Sequence, residues 1–156
     1  MTRRISSRTI QPFAVELENG SPVIYFNSNN LGRKCVDMTA SPYVSLVYLN
    51  ELDMSCASFM GKVERVPYPE STQGGHWADW LYMFYPEGPD ESKGSRFSTW
   101  RIRPDKITLI SYKDDIGSSR YDGRPPELRF NHARKQWEVH CTGNKEDETK
   151  KFGREA

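Results

Sequence analysis

The feature that most constrains this chain is the length of its apolar segments. "PVIYFNSN", "YVSLVYL" and "SCASFMGKVERV" are strand-sized, rich in β-branched and aromatic residues, and bounded by turn signals. In "YVSLVYL", Val44, Leu46 and Tyr48 alternate with Ser45 and Val47, which is strand periodicity, and these segments read as central strands. "ENGSP", Glu18 to Pro22, places a turn between "TIQPFAVEL" and "PVIYFNSN" and predicts an antiparallel hairpin.

The remaining segments fit the same pattern. Asn30 is placed to cap a short helix carrying Leu31, Cys35, Val36 and Met38, which Ser41-Pro42 would stop. Trp77, Trp80, Leu81 and Phe84 fall at helical spacing and predict a second short helix ended by "YPEGP", with Trp80 in the core. "FSTWRIRPDKITLISY" reads as a long strand broken near Pro104, and "ELRFN" and "QWEVHC", joined by "HARK", as a hairpin at a sheet edge. About six or seven strands, two short helices and no β-α-β alternation predict a mostly β, antiparallel barrel or sandwich over residues 1–141. Residues 142–156 read as a charged, disordered tail.

Composition narrows the function classes. With 156 residues the chain fits one domain. Its 22 Lys and Arg against 21 Asp and Glu give a net charge of +1, no broad field for nucleic acid or anionic membrane. Cys35, Cys56 and Cys141 form no C-x-x-C pair and leave an odd thiol, which favours a reducing, cytoplasmic setting. No apolar run approaches the roughly 18 to 20 residues of a membrane span. The acid-free start "TRRISSRTIQPF" could be a mitochondrial presequence, but its β-branched and turn-favouring residues fit a strand better. His76, His132 and His140 lack zinc-site spacing, and no G-x-S-x-G, Walker loop or G-x-G-x-x-G occurs.

The strongest candidate for chemistry is "FNSNNLGRK". A strand there ends in small polar residues and runs into a helix opening with Arg33 and Lys34, so backbone N–H groups, the Ser28 hydroxyl and two cations can meet one phosphate. On a starting strand, Arg4 and Arg8 would share a face with Ser6, and Arg3 would join them across a bulge. An RNA-binding barrel using Arg3, Arg4 and Arg8 with exposed aromatics is a third class, opposed by the balanced charge.

Through "RRISSR", "IYFNSNNLGRK", "SPYVSLVYL" and "SFMGKVERV", then "FYPEGPDE", "WRIRPDKITLI" and "ELRFNHARKQWEV", the chain resembles the pyridoxamine 5'-phosphate oxidase-like family of FMN-binding split β-barrels, in its general-stress and blue-light-induced flavoprotein branch. The resemblance implies an antiparallel FMN-binding split barrel with two short helices, beginning one strand later than is usual in the family. It implies a homodimer with flavin at the interface, where Trp77, Trp80, Phe97 and Trp100 could meet the partner. The family's basic strand pair falls on Arg3 and Arg8, its strand-end pair on Asn27 and Ser28, and its phosphate clamp on Arg33 and Lys34. A glutamine near the flavin ring falls on Cys56, the C-terminal Arg-x-His-x-Arg motif on "PPELR" with Arg129 as its last arginine, and Phe97 completes the expected cofactor set. The implied function is a flavin-dependent oxidoreductase on a small molecule, with Tyr121 and His132 as candidate proton-transfer groups; the alternative is a flavin-binding or stress-related module without oxidase activity.

Overall fold

The computed structural model describes residues 9–72, 75–111 and 125–140. Its elements are β1 (Glu16–Glu18), β2 (Ser21–Asn29), α1 (Arg33–Ala40), β3 (Tyr43–Asn50), β4 (Ser55–Arg65), α2 (Asp79–Tyr82), β5 (Phe97–Ile110), β6 (Glu127–Asn131) and β7 (Gln136–His140), with 3-10 turns at Glu70–Thr72 and Glu91–Lys93. The described strands hydrogen-bond in the order β1-β2-β5-β4-β3, with β6 on β5 and β7 on β6. β1 with β2, β2 with β5, β5 with β6 and β6 with β7 are antiparallel. The chain divides into two compact units, one built on residues up to Val44 with Gly61–Pro104, the other on Ser45–Met60 with residues from Asp105 onward.

In the first unit β2 is the central strand because both of its faces are apolar. Val23, Ile24, Tyr25 and Phe26 are all buried, which explains an unbroken "VIYF" where a one-sided strand would alternate. Ile24 and Phe26 stand opposite Ile102 and Trp100 of β5. On the same side of β2, the Cys35 thiol of α1 donates to Ser28 Oγ at 3.1 Å. Val23 and Tyr25 occupy the other side, clustered with Val66 and Phe13. Each such side chain contributes about 1.5 to 3 kcal/mol by leaving water.

The predicted first hairpin forms, with Glu18 opposite Ser21. Asn19 and Gly20 both have positive φ, 52° and 78°, the backbone that a two-residue hairpin turn requires. The predicted alternation in β3 also appears, Val44, Leu46 and Tyr48 being half-buried between exposed neighbours. In the second unit the β6–β7 hairpin pairs Phe130 with Trp137 across the strands.

Four expectations are corrected. Among the described strands β3 ends the order and is not central. α1 starts at Arg33 after Gly32, with no side-chain cap, because the Asn30 side chain is drawn to Glu91 and Ser98 instead. α2 is only four residues long, too short to bury a full stripe: Trp77 and Leu81 are buried, while Trp80 is 46% and Phe84 68% exposed. β5 runs through Pro104 without a break.

The continuity of β5 depends on Gly61 of β4. A Cβ there would lie 2.2 Å from the Arg103 carbonyl oxygen and 2.5 Å from Pro104 Cα, both backbone atoms that cannot step aside. Gly61→Ala is expected to destabilise the fold by about 2 kcal/mol or more, since overpacking against backbone has no cheap relief. Urea unfolding measures this, and an unchanged midpoint would refute the close approach.

Candidate functional site

The β2–α1 connection gathers several of the expected residues. Asn29 Oδ1 accepts from the Leu31 amide at 2.9 Å, and the Gly32 amide returns to the Asn29 carbonyl at 3.0 Å, which turns the chain tightly into α1. The first turn of α1 has no side-chain cap and no acidic residue, and it opens with Arg33 and Lys34. Arg33 is an exposed side chain 3.9 Å from Asp37, whereas Lys34 is half-buried and makes no ion pair among the described residues. Ser28 is buried against this turn. The Cys35 Sγ lies 3.1 Å from its hydroxyl oxygen and 3.0 Å from the Asn29 carbonyl.

The first turn of α1 could hold a phosphate group. An uncapped helix start with two cations and no acid in its first turn is favourable to a phosphate dianion, through the Arg33 and Lys34 amides and the macrodipole together.

The other expected residues are dispersed. Asn27 projects to the opposite side of β2 from Ser28, where its amide donates to the His76 carbonyl at 2.9 Å and to Thr99 Oγ1 at 3.1 Å and accepts from the Ala78 amide at 2.9 Å. Phe97 stands opposite Asn29 at the start of β5 and meets Trp80 and Tyr85 edge-on or tilted, with centroids 5.8 and 5.7 Å away. Trp77 and Trp100 are buried. Cys56, half-buried on β4, and Arg129, on β6 and bonded to Glu127 at 2.6 Å, belong to the second unit. Arg3, Arg8 and Tyr121 lie outside the described residues, and His132 packs edge-on against Phe130.

Two polar clusters in the first unit were not visible in the sequence. On the Asn27 side of β2, the His76 ring stacks on Tyr25 at 3.6 Å and its Nε2 lies 2.6 Å from Glu16 Oε1. The Tyr25 hydroxyl donates to Glu18 Oε1 at 2.5 Å; Arg101 pairs with Glu64 and Glu70, and Arg103 with Glu18 and Glu64. The Tyr25 hydrogen bond, more than Arg103, holds the Glu18 carboxyl below the usual range against the opposing effect of burial. Burial pushes Glu64 up, but Arg101 and Arg103 outweigh it and leave that carboxyl lowered too.

The second cluster centres on Glu91, which receives Arg65, Asn30 Nδ2 at 2.9 Å and the Ser98 hydroxyl at 2.6 Å. It borders a cavity of about 340 Å³ lined also by Tyr68, Pro89 and Thr99. These partners lie 7 to 68 positions apart in sequence, so no local motif announces them. Among the described residues no group of His, Cys, Asp and Glu could hold a metal ion, and no helix is long and apolar enough to cross a membrane.

No protein-family model matches the chain, and no curated protein sequence resembles it significantly. Solved structures do. A pyridoxamine 5'-phosphate oxidase-related, FMN-binding protein from Nostoc punctiforme PCC 73102 superposes with a TM-score of 0.62 at 12% identity, over 90% of this chain and 81% of that one. PhzG from Burkholderia lata 383, solved with tetrahydrophenazine-1-carboxylic acid, gives 0.57 at 13% identity, over 90% and 76%. These likenesses show the fold, which is the mostly antiparallel split-barrel class with two short helices.

Two outcomes follow from the Asn27 side of the sheet. Asn27→Ala removes three hydrogen bonds, leaves the Ala78 amide without its acceptor, and is expected to cost about 2 to 3 kcal/mol in urea unfolding. Glu18 has a folded pKa below its unfolded value, so its contribution to stability is present above about pH 4 and is lost as pH falls through the lowered value. Tyr25→Phe should move the Glu18 carboxyl back up in a carbon-13 NMR titration and flatten the acid limb of the stability profile; an unmoved Glu18 would contradict this.

Proposed function

We propose that this chain is an FMN-binding flavoprotein that holds the flavin phosphate at the first turn of α1 and acts as a homodimeric, flavin-dependent oxidoreductase on a small molecule. The observation that carries the reading is that turn: Arg33 and Lys34, no acid and no capping side chain, on a fold shared with an FMN-binding protein. Lys34 and Arg33 would supply charge-assisted hydrogen bonds to phosphate oxygens. Bound FMN would supply hydride acceptance. The chain's own part is to fix the phosphate, orient the cofactor and keep water from it.

Support for a homodimer comes from the second unit. Ile107, Leu128 and Val139 form a row across β5, β6 and β7, and Leu128 is 38% and Val139 67% exposed. On β3, Val47 and Leu49 are more than half exposed. Exposed apolar rows of this kind are the usual mark of a covered surface. A non-catalytic flavin-binding module is the second reading, favoured by the commitment of candidate groups elsewhere: Arg129 to Glu127, and His132 to the Phe130 ring.

The first measurement is the visible absorbance spectrum of the purified protein before and after adding FMN. A bound-flavin spectrum is expected, with Lys34→Ala weakening FMN about 10- to 100-fold, the loss of one charged hydrogen bond, while leaving the melting temperature unchanged. Protein that takes up no FMN would overturn the reading. Sedimentation is expected to give a dimer that Val139→Lys dissociates, and a monomeric wild type would remove the dimer from it.

A further inference from the structure

The turn that starts α1 is held from a distance. Asn30, three residues before Arg33, has its amide bonded to the Arg96 carbonyl at 2.7 Å, its Nδ2 to Glu91 Oε1 at 2.9 Å, and its Oδ1 lies 2.5 Å from the Ser98 hydroxyl. Ser98 is 2% exposed in β5 and also receives Arg65 Nε at 2.9 Å. Glu91 is where these groups converge, taking donors from Arg65 and Asn30 on one carboxylate oxygen and sharing the single Ser98 proton with Asn30 Oδ1.

The segment that carries Glu91 is itself fixed. Buried Asp90 accepts from the Ser92 amide at 3.0 Å and the Ser92 hydroxyl at 2.6 Å, and Gly94 closes the 3-10 turn in the left-handed region. The carboxylate is therefore presented from a rigid base. The neighbouring cavity adds to the argument, because its walls are already spent on internal bonds: Ser98, Asp90 and Glu91 in those just described, and Thr99 on Asn27 and the His76 carbonyl.

We infer that Glu91 is a positioning residue for the phosphate-binding turn, tying Asn30 through Arg65 and Ser98 so that Arg33, Lys34 and the first-turn amides are set before a phosphate arrives. This rests on the FMN reading for its ligand, while the tie is a property of the protein alone. A turn already ordered pays less conformational entropy on binding, so its loosening shows as lost affinity without lost contacts. A carboxylate suits the position, since one charged oxygen can take several donors; a glutamine oxygen still accepts from Asn30 and gives up only the ion pair with Arg65.

The test compares wild type, Glu91→Ala and Glu91→Gln, with Glu87→Ala as a control that breaks only the exposed pair with Lys93. Amide hydrogen exchange over residues 29–34 is followed in protein without ligand, FMN affinity by flavin fluorescence, and folding by thermal melting. Glu91→Ala is expected to speed exchange of that turn about tenfold or more and to weaken FMN about 5- to 10-fold, the cost of ordering on binding a turn that wild type presents already ordered. Glu91→Gln should fall between, and Glu87→Ala should match wild type. Unchanged exchange in Glu91→Ala overturns the inference, as does faster exchange with unchanged FMN affinity. Wild type that binds no FMN fails the functional reading, and the exchange result still decides whether Glu91 holds the turn.

Discussion

The first unit depends on β2 being buried on both faces. A strand apolar on one side needs one covering layer; Val23, Ile24, Tyr25 and Phe26 need two. The chain supplies one with α1, whose Cys35 and Met38 are its buried side chains, and the other with Val66, Phe13 and the segment reaching His76 and Trp77. Polar groups on each side then settle what the apolar layers leave open. Ser28 meets Cys35 under the helix, and Asn27 ties His76 and Ala78 under the loop, so adjacent residues of one strand organise opposite sides of the sheet.

This division explains the asymmetry of the charged groups. The Asn27 side carries a paired network of Glu16, Glu18, Glu64 and Glu70 with His76, Arg101 and Arg103, in which the carboxylates are bonded, those of Glu18 and Glu64 are lowered, and the cations are occupied. At the start of α1 the opposite holds: Arg33 has only a loose contact with Asp37, and Lys34 has no ion pair among the described residues. Cations left largely unneutralised at a helix start are what an external anion can use, whereas a closed network offers it nothing.

Much of the fold was legible because it is written in local pattern. The Asn-Gly turn, the alternation in β3 and the β6–β7 hairpin each follow from residues a few positions apart. The errors share a cause. Asn30 has the right chemistry to cap α1, but Glu91 and Ser98, more than sixty positions away, bind it first. Trp80 sits at helical spacing in a helix too short to bury it, and Pro104 continues its strand because Gly61 leaves the space beside it. Of the candidate site, the "GRK" turn was readable as chemistry, while the tie that holds it exists only in three dimensions.

The position of β3 carries a further consequence. Soluble proteins usually guard a terminal strand with lysine, proline or a bulge, so that no second chain can extend the sheet. "YVSLVYLN" has no charge and no proline, and its outer residues include Tyr43, Val47 and Leu49. Among the described strands that edge has no partner beyond β4, and an edge of this composition is a template for strand addition by a second copy before it is covered.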